Sequence, residues 1–404
     1  MLTFEYTAKD DKTGKTIKAQ VQAQSQQAAV KLIATQGYSP TSIHSVGEGG
    51  GLFSRRSTKI RTKDRVLFAR QLSTLINAGL PLTQSLRTVS EQTQSRALNT
   101  IINTVITDVE GGTAFATALS RHPRVFNKVF TSLIAAGETS GTLDKALERI
   151  AHQQEKDAEV VSKVRGALVY PGIVLIVILM VVVFMLTTVL PQVELLYEDL
   201  NQSLPFITAA MLTVSRFIIG FWWLILAGVF GLVYFGYRYV QTTGGRSVVD
   251  KIKMEIPLFG KLFRKLYMAR FSRTGSTLMG TGVPMLDMLR ITAESVNNVH
   301  VEAATVAAAE KVKGGKALSD SLEPHQEFLP LVPQMIRIGE QSGAIDAMMA
   351  KAAEFYEKEL DNEIKTISTT IEPALMVVLA ITAGLMVGAI LIPVYGLVGE
   401  SIAL

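Results

Sequence analysis

Three stretches of this chain carry no Asp, Glu, Lys or Arg: Gly166 to Val193, Phe217 to Tyr237 and Pro373 to Gly399. A helix rises about 1.5 Å per residue, so about 20 residues cross the ~30 Å hydrocarbon core of a bilayer. Each stretch is long enough. A single one is compatible with a buried helix of a soluble protein, but three in one chain predict three membrane spans, at 168–192, 216–239 and 373–398. Hydrophobic residues make up 48% of the 404 and charged ones 19%, so the charge is concentrated outside the spans, as in an integral membrane protein with sizeable polar parts. The absence of cysteine excludes disulfide frameworks, thiolate metal sites and cysteine nucleophiles together.

Basic residues near the span ends predict the orientation, because the positive-inside bias counts Lys and Arg rather than net charge. Lys145, Arg149, Lys156, Lys163 and Arg165 precede the first span, and Arg238, Arg246, Lys251, Lys253, Lys261, Arg264 and Lys265 follow the second. Those flanks are expected in the cytoplasm. Between the first two spans Glu194, Glu198 and Asp199 meet one Arg216, and beyond the third only Glu400 is charged. Segment 193–215 and the C-terminus are therefore expected outside. The start Met-Leu-Thr-Phe-Glu-Tyr has no basic-then-apolar leader, so no cleavable signal is expected and the N-terminus is cytoplasmic. Flanks lying on an anionic leaflet account for the net charge of +5, and no nucleic-acid partner is required.

The chain also repeats itself. Shifted by 203 residues, Phe68 falls on Phe271, Arg70 on Arg273, Gly79 on Gly282, Pro81 on Pro284 and Glu91 on Glu294. A one-residue deletion then makes the shift 202, and Gly137-Glu138 falls on Gly339-Glu340, Ser140-Gly141 on Ser342-Gly343, Asp144 on Asp346, Glu155 on Glu357 and Pro171 on Pro373. A unit of about 130 residues is duplicated, each copy a helical half followed by a span. The second span, around Trp222-Trp223, connects the copies. The halves occupy 63–165 and 265–372. In the first, Phe68, Leu72, Leu75 and Ile76 share one helical face, Gly79 stands where a helix stops, and Pro81 follows. Neither half alternates with period two, so both are expected to be antiparallel helical bundles.

Residues 1–46 differ. Phe4-Glu5-Tyr6-Thr7-Ala8 alternates, residues 10–14 read as a turn, and Ile17, Ala19, Val21 and Ala23 alternate again. Ser25 then caps a helix with Ala28, Ala29, Leu32 and Ile33 inward, ended by Gly37 and Pro40. A small ββαβ module is predicted, followed over 47–62 by a flexible basic linker containing Gly49-Gly50-Gly51 and Arg55-Arg56.

No catalytic chemistry is apparent. Neither Gly14-Lys15-Thr16 nor Gly314-Gly315-Lys316 completes a phosphate-cradling loop, and the five histidines make no His-Glu-x-x-His or i, i+4 pair. The chain is expected not to be an enzyme, with no cofactor and no metal site.

What recurs instead is Gly-Glu-x-Ser-Gly, at Gly137, Glu138, Ser140, Gly141 and at Gly339, Glu340, Ser342, Gly343. It reads as a helix-to-helix corner: the first Gly ends one helix, Ser or the next hydroxyl caps another, and Asp144 or Asp346 favours that helix's positive end. Glu138 and Glu340 would then be placed to meet a partner or a cation. Tyr170-Pro171 and Glu372-Pro373 stand where the first and third spans begin, and each proline is expected to kink or restart its helix. Glu372, beside a hydrocarbon run, must snorkel to the headgroups or pair inside a bundle. Gly384 and Gly388 form one Gly-x-x-x-Gly, a helix-packing and oligomerisation candidate.

Taken together, the N-terminal module, basic linker, doubled halves, doubled corners, Tyr170-Pro171 and Glu372-Pro373 resemble the type IV pilus and type II secretion inner-membrane platform family. The resemblance covers essentially the whole chain. It implies that each cytoplasmic half is a six-helix bundle, that protomers oligomerise, and that the chain sits in the bacterial inner membrane with other assembly components. It further implies coupling of a hexameric cytoplasmic ATPase to insertion of pilins or pseudopilins into a filament, with Glu138, Glu340, Glu372, Tyr170, Pro171 and Pro373 as contact or coupling candidates. A membrane-anchored signalling scaffold would also fit the helical mass but would not need duplicated halves. A secondary transporter would need polar, discontinuous helices at mid-membrane, which three almost wholly apolar spans do not provide.

Overall fold

The computed structural model describes residues 2–10, 16–23, 30, 32–33, 38–45, 60–199, 206–257 and 259–401. It divides into two units, Met1–Ile60 and Arg61–Leu404. Residue 46, most of the expected linker (47–59), the 11–15 turn, most of the helix expected after Ser25, and 200–205 lie outside the described residues.

In the first unit, β1 (Leu2–Asp10) lies between β2 (Thr16–Ala23) and β3 (Tyr38–Ser45) in an antiparallel sheet of order β2-β1-β3. Leu2 faces Ala23 and Lys9 faces Thr16 across β1 and β2, and the β1–β3 register shifts between Thr7 and Ala8. Ala8 and Ile33 are fully buried, with Ala19 and Val21 packed on them. Pro40 lies within β3, an edge strand, where a missing amide donor is tolerated.

The second unit is helical among its described residues. Its first repeat runs through α1 (Thr62–Asn77), α2 (Leu82–Gln92), α3 (Arg96–Glu110), α4 (Phe115–Ser120), α5 (Lys128–Ser140) and α6 (Leu143–Phe184). A single π-helical turn (Met185–Val189) then leads into α7 (Leu190–Asp199). After α8 (Phe206–Val240) and α9 (Thr243–Glu255), the second repeat comprises α10 (Gly260–Met279), α11 (Met285–Val296), α12 (Val299–Lys313), α13 (Leu318–Leu322), α14 (Leu331–Ser342) and α15 (Ile345–Ser401). Six helices stand in each repeat, in the same order and with similar lengths.

Local chemistry explains the breaks. Asn127 accepts from the Phe130 amide at the start of α5, and Asn298 accepts from His300 and Val301 at the start of α12. Gly79 and Gly282, both at φ +84°, turn the chain after α1 and α10 in a left-handed conformation that side chains disfavour. The bundle cores are correspondingly placed. Phe68, Leu72, Leu86, Ile102, Leu119, Leu133 and Leu147 fill the first, and Phe271, Leu278, Leu289, Leu318, Val332 and Ile336 the second. Phe68, Phe126 and Phe130 pack as a ring triplet with centroids 5.0–6.5 Å apart, while Phe271 meets Phe328 edge-on at 4.9 Å.

Among the described residues, three helical stretches are long and apolar enough to cross a membrane: Leu143–Asp199, Thr208–Val240 and Ile345–Leu391. One expectation needs correcting. Pro171 and Pro373 do not restart their helices, since α6 and α15 are continuous through them; an apolar span with no competing water keeps the helix closed around one missing donor. The first span is also not a plain α-helix, because Met185–Val189 adopts the π form. That register change frees the Leu186 carbonyl, which accepts from the Ser215 hydroxyl of α8. Nearby, Thr208 Oγ1 donates to the Ala389 carbonyl at 3.3 Å, and Leu186, Leu190, Leu212 and Ala389 are buried together. The three spans are thus joined at the end nearest α7.

Candidate coupling corners and the inter-repeat contact

The repeated Gly-Glu-x-Ser-Gly segments close α5 and α14. It is the second glycine that ends each helix: Gly141 and Gly343 both sit at φ +71°. Thr142 N donates to Gly137 O at 2.8 Å and Ala344 N to Gly339 O at 2.9 Å, the 6→1 bond of a Schellman ending. The first glycine, expected to be the stop, lies inside the helix and serves close packing. A Cβ on Gly137 would come 2.5 Å from the Ala146 Cβ, and one on Gly339 would come 2.6 Å from the Ile345 Cα. Ser140 and Ser342 hydroxyls donate back to Ala136 O and Ile338 O, at 2.7 and 2.8 Å, so they do not cap the next helix.

The glutamates reach a different helix. Ala114 and Ala317 precede α4 and α13 and have no side-chain cap to offer. Glu138 supplies one from α5, its two oxygens accepting from the amides of Phe115 and Ala116 at 2.8 and 3.1 Å. Glu340 does the same from α14, accepting from the amides of Leu318 at 2.6 Å and Ser319 at 3.4 Å, and from the Ser319 hydroxyl at 2.5 Å. A carboxylate on unsatisfied helix amides sits against the positive end of the dipole. The corner therefore ties a short helix to the point where each long helix begins.

Of the other sequence candidates, Tyr170 is exposed, Pro171 is buried, and Glu372 and Pro373 are exposed. Glu372 makes no hydrogen bond or ion pair among the described residues. A Cβ on Gly384 would meet nothing within 4 Å, and Gly388 is half-buried. The structure does not bring Glu138, Glu340 and Glu372 into one cluster.

Sequence reasoning did not single out the ion pairs that brace the long helices. Arg70 on α1 holds Glu155 on α6 through two hydrogen bonds, and Arg273 on α10 holds Glu357 on α15 at 2.8 Å through both. The signal was present: Arg and Glu recur at both positions when the repeats are superposed. Lys265 adds contacts to Glu359 and Glu363 at 3.0 and 2.6 Å. Burial works against its ammonium, but the two carboxylates outweigh that and hold it above the usual lysine range.

The repeats also meet each other. Lys128 of α5 pairs with Glu294 of α11 at 2.6 Å, and Lys163 of α6 with Asp361 of α15 at 2.8 Å. Arg149 Nη1 donates to Thr277 O at 3.5 Å and lies over Gly280, while Gln153 Nε2 donates to Thr274 Oγ1 at 3.4 Å. The long helices carry these contacts straight into the spans, where an apolar cavity of about 280 Å³ opens between Val177, Val181 and Met185 of the first span and Leu379, Met386 and Val387 of the third.

Comparison with known proteins agrees with this duplicated plan. The family described as "Type II secretion system (T2SS), protein F" matches residues 68–191 and again 271–393, and its N-terminal domain matches residues 1–44. The chain is 36% identical over 404 residues to the type IV pilus assembly protein PilC of Thermus thermophilus, covering 99% of each. It is 34% identical over 391 residues to PilC of Myxococcus xanthus, covering 96% of this chain and 93% of that one. It is 30% identical over 400 residues to the type II secretion system protein F of Vibrio cholerae, covering 98% of each. Two copies of the family's domain, an N-terminal match and near-complete coverage of these relatives make this chain a member of the type II secretion system protein F family.

Proposed function

We propose that the chain is the inner-membrane platform of a type IV pilus or type II secretion machine. In this reading a hexameric cytoplasmic ATPase drives the bundles, and the spans pass the motion to pilins or pseudopilins entering a filament. The observation that carries it is the continuity of α6, 42 residues, and α15, 57 residues, each beginning in a bundle and running on as a span. At about 1.5 Å per residue these are rods of roughly 60 and 85 Å. A displacement at the bundle end is transmitted because both helices run on across the water–lipid boundary, with only the donors of Pro171 and Pro373 missing from their hydrogen-bond ladders. The glutamate corners fasten each bundle to the rod's origin, which supports their role as coupling points.

The N-terminus and both bundles lie in the cytoplasm and the C-terminus outside, as the Lys and Arg distribution supports. The N-terminal ββαβ module with its linker, self-association of protomers, contact at Tyr170 and Glu372, and helix packing at Gly384 and Gly388 belong to the same reading. The names of the PilC and protein F relatives support the assembly context.

Deleting the gene, with electron microscopy of the cell surface and assays of motility, DNA uptake and secretion, tests it. Loss of surface fibres or of export, restored by the intact gene, is the expected result. Cells that assemble fibres and export cargo as before would overturn the proposal.

A further inference from the structure

The contact between the repeats is one-sided. The first repeat uses α5 and α6, and the second meets them with α10 and α11 and, further along, with α15 against α6; by contrast α14 and α15 make no comparable contact with α1 or α2. A two-fold arrangement would have paired both sets at once. Two faces are left over, and each is the structural counterpart of a face already buried in the chain.

We propose that they bind each other between copies: the α14/α15 face of one chain docks on the α1/α2 face of a second copy, head to tail. This deepens the self-association proposed above and does not depend on the ATPase or filament reading.

The residues on the open faces favour a second copy. Phe355 is the counterpart of Gln153, yet Gln153 is 5% exposed and Phe355 is 49% exposed. Leu67, the counterpart of Arg270, is also 49% exposed on α1. Large apolar side chains thus stand open, outside the predicted spans, at positions that the internal contact covers. Charges repeat with the same signs. Lys163 pairs with Asp361 inside the chain; of their counterparts, Glu159 is already held by Lys156 and Lys163 on its own helix, while Lys365 is exposed and has no ion-pair partner among the described residues. Arg149 reaches the last carbonyls of α10, and its counterpart Lys351 is exposed and would reach those of α1 at Thr74, where a cation is favoured. One pair is not reproduced: Pro330 stands where Lys128 would be, so the contact between copies relies more on Phe355.

The geometry suits one membrane. Asp361 is the counterpart of Glu159, one helical turn from Lys163, so the step from first repeat to second is mainly a rotation with little rise. A second copy docked through the open faces has to keep its spans in the same bilayer and the same orientation.

The chain contains no cysteine, which makes cross-linking direct. Phe355→Cys combined with Gln71→Cys, in the full-length protein in its native membrane, reproduces the Gln153–Thr274 contact between copies. Mild oxidation is expected to give linked dimers or higher species from this pair, and from the two single variants expressed together. Neither single variant alone is expected to link. Absence of product from the pair overturns the interface, as does Phe355→Cys linking to itself; the latter would leave self-association standing on another surface. Lys351→Cys with Asn77→Cys, after Arg149 and Gly280, is the second pair should the first disturb folding. Its product is expected to fall several-fold when Phe355→Gln is added, with the unfolding temperature unchanged; an unchanged yield would remove Phe355 from the contact.

Discussion

Arg70 holds Glu155 in the first repeat and Arg273 holds Glu357 in the second, yet their surroundings differ. The first pair is 42% and 36% exposed, the second 13% and 19%. The sequence pattern is the same and the enclosure is not. Helix α10 is covered by the first repeat on one side and by α9 on another, whereas α1 has its corresponding side open. Water screens the exposed pair, so little is lost when it is broken; removing one member of the enclosed pair strands a charge. Duplication has therefore supplied two copies of each device, and tertiary position sets how much each contributes.

The largest test of this contrast is at the corners. Gly339→Ala drives a methyl group against the Ile345 backbone, while in Gly137→Ala the nearest obstacle is the Ala146 methyl. Overpacking of this kind costs about 3 kcal/mol where the backbone must move and about 2 where a side chain shares the strain. Thermal unfolding of the purified protein in detergent measures both. Wild-type midpoints for the pair would show that neither corner is closely packed.

The ion pairs come next. Arg273→Met is expected to destabilise by about 2 kcal/mol and Arg70→Met by less than about 1 kcal/mol. Chemical denaturation of the two variants, side by side, decides the matter: equal losses would mean that enclosure does not separate the repeats.

The smallest effect separates the capping glutamates. Glu340 serves two amides and a hydroxyl, Glu138 two amides. Glu340→Ala is expected to cost about 1.5 kcal/mol and Glu138→Ala about 1 kcal/mol. Amide hydrogen exchange at Phe115, Ala116, Leu318 and Ser319 provides the local readout, with faster exchange expected only in the repeat that carries the substitution.

Much of the plan follows from the order of residues alone. Three charge-free runs dictate apolar helices of membrane-crossing length, because burial in hydrocarbon depends on local composition. The duplication is visible by superposition, and glycines such as Gly79 turn the chain because their missing Cβ permits positive φ whatever surrounds them. The corners were recognisable as motifs, but their workings were not. Whether Gly137 or Gly141 stops α5 depends on how closely α6 crosses it, and Glu138 finds its partners 22 and 23 residues away, at the start of a helix that lacks its own cap. Similarly, Arg70 and Glu155 recur in the sequence without revealing that they touch. Tertiary structure alone decided those pairings, and with them which face of each repeat is covered and which is open: contacts between distant residues are set by how whole helices cross, and no local run of side chains encodes a crossing.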